Sequence, residues 1–317
     1  MDRTVREIHA DFAHRAGYIG SGVGVAVMDT GIIKHKDFDH RILVFRDFCE
    51  QKQYPYDDNG HGTHVSGIIG GNGSASRGRY RGIAPGCNLI VLKALDRYGN
   101  GNTKEVLEAT EWMIENKERY NIRILNISVG MLPSAKKEEK ERLIAAMERA
   151  WNHGIVVVAA AGNNGPDAGS VTIPGILKTI ITVGSSDDEG LPAKQHGLMP
   201  GYSGRGPTDQ CIVKPEILAP GTNIISCSAG GKLYEMKSGT SMATPVVTGA
   251  IAVLLSAHPR LRPAEVKLIL HDSAVPTALK GKKKAWGKLD VARMLLKSRP
   301  FSTPSNYRRR RAIFRIP

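Results

Sequence analysis

Three residue types that together can make a nucleophile of a hydroxyl lie far apart in this 317-residue chain: Asp29, His61 and Ser241. Ser241 stands in Ser238-Gly-Thr-Ser-Met-Ala-Thr-Pro-Val-Val-Thr-Gly-Ala-Ile-Ala252, a glycine-flanked serine entering an apolar run. That pattern predicts a buried helix with Ser241 and Pro245 in its first turn, where a missing N–H costs little. The free N–H groups and positive dipole end of such a helix would face an oxyanion formed on a carbonyl attacked by Ser241. Alone, the stretch reads more readily as an N-cap serine on a core helix. Asp29 follows the apolar run Val23 to Met28, so it is placed at the carboxyl end of a central strand, although Asp29-Thr30-Gly31 is also an ordinary turn. His61 lies in a polar turn, Asp57-Asp58-Asn59-Gly60-His61-Gly62-Thr63-His64, where the neighbouring glycines leave its ring open to a cleft. His64 aligns with Ile68 at helical spacing and is read as a buried structural histidine. The zinc pattern His-Glu-x-x-His is missing, which argues against a metal held by the two histidines.

The elements that must position these groups alternate. Asn88 to Leu95, Ile122 to Val129, Ile155 to Ala161 and Ile180 to Val183 read as buried strands. Between them, Asn102 or Thr103 caps one amphipathic helix, and Ser134 opens another that ends at Gly154. Helices after Ser241 and Pro263 complete an α/β pattern: a mostly parallel central sheet with helices on both faces, in three layers.

At 41% hydrophobic the chain can bury a large core, and no linker divides it before the C-terminus. Residues 1–17 read as an N-terminal extension, 18–297 as one domain and 298–317 as a basic tail. The first residues lack a signal-peptide core, and no stretch reaches the ~18 apolar residues of a membrane span. A cytoplasmic protein is expected. Cys49, Cys87, Cys211 and Cys227 are widely spaced, as reduced thiols packed as small hydrophobes would be. The formal charge of +14 is concentrated at Lys280 to Lys284 and Arg308 to Arg311, with Arg77, Arg79 and Arg81 in one internal loop. Nucleic acid or an anionic surface is a conceivable partner for such charge, but no aromatic interleaving accompanies it, so a flexible basic tail is the economical reading.

Taken together, Val27-Met28-Asp29-Thr30-Gly31, Asn59-Gly60-His61-Gly62-Thr63-His64, Ala159-Ala160-Ala161-Gly162-Asn163 and Gly239-Thr240-Ser241-Met242-Ala243-Thr244-Pro245 resemble the motifs of the subtilisin-like serine proteases, whose triad runs Asp, His, Ser in chain order. Weaker similarity extends from about Gly17 to Leu296. The resemblance implies the three-layer subtilisin-like fold and a serine endopeptidase acting on unfolded or flexible polypeptide. His61 would be the general base, Asp29 its orienting partner and Asn163 an oxyanion donor. It further implies that Gly99-Asn100-Gly101 and Ser128-Val129-Gly130 clamp the substrate as an added strand. Val129, Gly130, Ala160, Ala161 and Gly162 would line the specificity pocket with Thr172 near its floor. Those small apolar walls favour an apolar side chain before the scissile bond, while Asp167 nearby leaves a basic preference open.

Two departures qualify the resemblance. Only about twenty residues precede the first strand, a layout most similar to the intracellular subtilisins, and self-inhibition by residues 1–17 is one expectation. The chemistry requires no cofactor. Asp37 matches a position that binds structural calcium in many members, yet Asn72 to Arg81 carries three arginines and no acid. That charge makes a weak or absent calcium site the expectation.

Overall fold

The structure, a computed structural model, describes residues 1–128, 130, 136–190, 198–208, 212–277 and 285–299. Eight parallel strands form its central sheet: β1 (Gly24–Asp29), β2 (Ile42–Asp47), β3 (Asn88–Lys93), β4 (Ile122–Ile127), β5 (Val156–Ala160), β6 (Ile181–Ser185), β7 (Ile217–Ala219) and β10 (Gly287–Lys288). The spatial order is β10-β7-β6-β5-β4-β1-β3-β2. A separate antiparallel ribbon pairs β8 (Ile224–Cys227) with β9 (Tyr234–Lys237).

The apolar runs exist because both faces of the sheet are covered. Val25, Val27, Leu89, Val91, Val156 and Val158 point into one core, with α3 (His61–Gly70) and α6 (Thr240–Ala257). Ala26, Met28, Ile90, Leu92 and Val157 point into the other, against Met113 of α4 (Thr103–Glu115) and Met147 of α5 (Lys137–Asn152). With successive side chains on opposite faces, a strand covered on both sides must be apolar at every position. Asn102 caps α4 by accepting from Lys104 N at 2.8 Å, and Glu105 closes the capping box. The Ser134 start expected for α5 lies outside the described residues.

The chain leaves β1 toward β3 on one side and returns as β4 on the other, so the strand order reverses beside β1. Crevices at the carboxyl ends of strands on either side of such a reversal are where open α/β sheets hold ligands. Asp29 ends β1 there, and Ser128 follows β4.

Three sequence expectations change. All of α6 except Ser241, Ser256 and Ala257 is buried. At 18 residues it does meet the length and composition of a membrane span, contrary to the sequence reading, but it runs through the protein core. Pro245 is the sixth residue of α6 rather than part of its first turn, so the carbonyl of Ser241 lacks its usual intrahelical donor. Residues 1–17 form α1 (Asp2–Glu7) and α2 (Ala10–Arg15), and Met1, Ile8, Ala10 and Ala13 join the core. Their hydrogen bonds go to Ile225, Asp187, Thr222, Ile83 and to Val291 and Asp290 at the start of α8 (Val291–Ser298). Nothing among these contacts blocks Ser241, so self-inhibition by this segment has no structural basis among the described residues.

Candidate active site

β1 delivers Asp29 fully buried at its last residue, and the first residue of α3 is His61. Asp29 Oδ1 accepts from Thr30 N at 2.8 Å and lies 2.7 Å from His61 Nδ1. A carboxylate only accepts, so the ring proton sits on Nδ1 and Nε2 is left as the basic nitrogen. Asp29 Oδ2 is buried and meets no donor. Close approach of helix and strand explains Gly62: a β-carbon there would stand 2.2 Å from the carbonyl oxygen of Gly31. Burial works against charging the His61 ring, but the charge and hydrogen bond of Asp29 overcome it, and the net effect holds the imidazolium form above its ordinary range.

Ser241 is the second residue of α6. Its hydroxyl donates to the carbonyl of Ser128 at 2.6 Å, so reaching His61 requires the hydroxyl to swing. Thr240 N donates to Asn163 and Met242 N to Gly239, which leaves the Ser241 N–H as a first-turn donor with no intrahelical acceptor. Asn163 lies in the loop after β5. Its Oδ1 accepts both Thr240 N at 2.9 Å and Thr240 Oγ1 at 3.0 Å. With the oxygen held in this way, Nδ2 is the end of the amide left to face an anion.

The remaining sequence candidates converge in part. Gly99, Asn100, Gly101 and Gly130 line one cavity of about 210 Å³ with Leu95 and Ile173. Thr172 is wedged between Gly130 and Gly162: a β-carbon at Gly130 would meet its Oγ1, and one at Gly162 its Cγ2 at 2.5 Å. Its Oγ1 is buried without a partner. Ala160 ends β5, and the carbonyl of Ala161 accepts from Thr172 N at 3.0 Å, which ties Thr172 to the segment leaving β5. Asp167 is exposed to solvent. Val129, Cys211, Lys280 to Lys284 and the tail from residue 300 lie outside the described residues.

His64 is fully buried, its Nε2 is 3.1 Å from Ile224 O, and burial pushes its pKa down to about 3, so it is a neutral structural group. Sequence reasoning passed over Thr240, Asp57 and Lys93. Thr240 orients Asn163. Lys93 is wholly buried, and its ammonium binds Thr30 O, Leu95 O and Asp58. Position relative to Asp29 is invisible in sequence, whereas the register that pairs Asp29 with Lys93 makes it plain.

Calcium does not fit the donors at Asp37. Its Oδ1 accepts from Ala75 N at 2.8 Å, inside the arginine-bearing loop, and its Oδ2 from Tyr234 Oη at 2.8 Å and Cys227 Sγ at 3.8 Å. The nearby His35 accepts from Asp37 N at Nδ1 and lies 2.9 Å from Leu233 O at Nε2. The cluster His35, Asp37 and Cys227, compact enough for a metal, is therefore filled by its own hydrogen bonds.

Comparison with known proteins agrees with this geometry. The profile of the Subtilase family matches residues 20–294. Serine protease AprX of Bacillus subtilis (strain 168) is 42% identical over 289 residues, covering 85% of this chain and 65% of that protein. Subtilisin Savinase of Lederbergia lenta is 33% identical, covering 85% of this chain and 90% of its own. The solved structure of sphericase superposes with a TM-score of 0.71 at 28% identity, covering 86% of this chain and 92% of its own. This chain spans about two thirds of the length of AprX and of the thermostable alkaline protease of Halalkalibacterium halodurans. With its site at the strand-order reversal of a parallel sheet and the family profile matched from residue 20 to 294, the chain belongs to the subtilase family.

Proposed function

We propose that the protein is a serine endopeptidase that cleaves unfolded or flexible polypeptide through an acyl-enzyme. The observation that carries this reading is the 2.7 Å contact of Asp29 with His61 at the start of α3, a helix packed against α6, whose second residue is Ser241. His61 Nε2 takes the Ser241 proton as Oγ attacks the carbonyl carbon, then returns it to the leaving amine. Asp29 fixes the tautomer and stabilises the imidazolium. The Ser241 N–H and Asn163 Nδ2 receive the oxyanion. Water then attacks the acyl-enzyme with His61 again as base.

Gly99 to Gly101 and Ser128 to Gly130 flank the substrate backbone, and pairing of that kind selects extended chain. The wedged Thr172 supports a small apolar side chain before the scissile bond. Asp37, saturated by protein donors, supports an enzyme that needs no calcium at that position. Cys49, Cys87 and Cys227 are free thiols, which supports action in a reducing, intracellular compartment; general turnover is the role we assign there.

Incubation with a casein-like substrate and a serine-directed phosphonylating reagent tests the reading. Turnover that stops as Ser241 becomes labelled is expected; an unlabelled Ser241 with no turnover overturns it. Sequenced cleavage products of a denatured proteome should show many sites with small apolar residues, and one sharply defined site would point to processing of a single precursor instead.

A further inference from the structure

Two carboxylates lie close to His61 in very different surroundings. Asp29 receives few donors, as described above. Asp57, four residues before His61 and only 9% exposed, receives five. Its Oδ1 accepts from Thr30 Oγ1 at 2.8 Å, Gly60 N at 2.8 Å and Asn59 N at 3.3 Å. Its Oδ2 accepts from Thr63 Oγ1 at 2.6 Å and Thr63 N at 2.8 Å. Thr30 belongs to the turn leaving β1, Asn59 and Gly60 lead into α3, and Thr63 lies in its first turn. Thr30 Oγ1 in turn accepts from Gly62 N at 2.9 Å, and Thr63 Oγ1 from Ile33 N at 3.2 Å, so two further bonds cross between the same segments.

We infer that Asp57 is a positioning residue for the reaction: its carboxylate clamps the Asp29–Thr30 turn to the start of α3 and so sets the distance between Asp29 and the His61 ring. The inference rests on the protease reading above. The carboxylate touches no reacting atom; it acts through Thr30 and the backbone of residues 59–63. A carboxylate at a helix N-terminus also satisfies donors that the helix leaves open, which here replaces an N-cap side chain at Gly60. Because Thr30 spends its hydroxyl proton on Asp57, that proton does not go to Asp29. Hydrogen bonds from Thr63, Gly60 and Thr30 outweigh burial and hold Asp57 ionised below the usual carboxylate range. The charges facing His61 are then Asp29 from β1, Asp57 from the loop before α3, and Lys237 from β9, with His64 neutral beneath it.

The test compares wild-type enzyme with Asp57→Asn and Thr30→Val, measuring kcat, KM, the pH profile of kcat and the thermal midpoint. Wild-type turnover and Ser241 labelling come first; if both fail, the protease reading falls and this inference with it. Given an active wild type, Asp57→Asn should lower kcat about 10- to 100-fold, the scale of loss expected when a catalytic pair is misplaced by a fraction of an ångström to an ångström. KM should stay within about twofold, because no substrate contact is removed. The acid limb should move to lower pH, because a negative charge near the imidazolium is gone. Thr30→Val, which removes the bond to Asp57 and the one from Gly62 N but keeps the shape and the other four donors to Asp57, should show a smaller loss of kcat and decides the matter if Asp57→Asn does not fold. A variant with a lowered thermal midpoint but unchanged kcat and acid limb would reduce Asp57 to a structural cap and overturn the inference.

Discussion

His61 Nδ1 lies 2.7 Å from Asp29 Oδ1, while the second oxygen of the same buried carboxylate meets no donor. A carboxylate left this short of hydrogen bonds has most to gain from a neighbouring cation, so the pair strengthens when His61 is protonated. Activity and stability should therefore respond to pH in opposite senses. Neutral imidazole is the base, so kcat should fall as pH drops through a histidine pKa above the ordinary ~6.5. The stabilising effect of the raised pKa is fully present below the unfolded value and is lost as pH rises through the folded one. A pH–rate profile and parallel thermal melts check both; an acid limb at or below the ordinary histidine value would contradict the geometry.

Thr240→Val should lower kcat by about tenfold with little change in KM. The substitution removes the Oγ1 donor to Asn163 Oδ1 and keeps the backbone one, so the amide is held by one bond where it had two. Complete loss of Nδ2 through Asn163→Leu should cost about 3 kcal/mol of barrier, the magnitude known for loss of one such donor in a subtilisin. Steady-state kinetics on one peptide series distinguish the partial from the complete effect.

Chelation should leave the Asp37 region untouched. The thermal midpoint in excess EDTA is expected to match that in calcium, whereas Tyr234→Phe, which removes a donor to the buried Asp37 Oδ2, should cost about 1–3 kcal/mol. Differential scanning calorimetry reads both, and a fall in the midpoint on chelation together with a neutral Tyr234→Phe would contradict the account of Asp37.

Thr172→Gly should widen substrate preference. Its side chain stands between Gly130 and Gly162, so removing it opens the floor of the pocket and leaves no orphaned hydroxyl. Competition between peptides with alanine and phenylalanine before the scissile bond is expected to shift toward phenylalanine by about tenfold or more, within the range that filling a hydrophobic pocket supplies.

Far from the site, Glu216→Gln should be severe. Glu216 is 3% exposed and accepts from Lys214, Lys267 and Thr182 N. Burial already pushes the Lys214 ammonium down to about 8, and Glu216 opposes that shift. Removing the carboxylate leaves the buried Lys214 ammonium and the half-buried Lys267 ammonium without their anion, at a cost of about 3–5 kcal/mol read by denaturant unfolding.

Asp29, His61 and Ser241 stood out in the sequence as candidates because a reaction demands particular atoms, and residue types with glycine-rich flanks mark where such atoms are exposed. The layered α/β architecture was legible too, since a strand covered on both faces must be apolar throughout, as Val156 to Ala160 are. What the order of residues could not carry was contact between segments distant in the chain. Asp57 read as turn polarity until its five donors came into view; Thr240 read as part of a motif until Asn163 was found resting on it. Lys93 was one unremarked residue of the Asn88 to Leu95 strand, and the parallel register sets it beside Asp29. Pro245 and residues 1–17 were placed differently by the fold because helix boundaries and docking depend on which surfaces are left to bury. Local chemistry is written in residue types and spacing, whereas orientation at a tenth of an ångström is set by hydrogen bonds across the fold, and these exist only once the sheet has brought β1, α3 and α6 to one end.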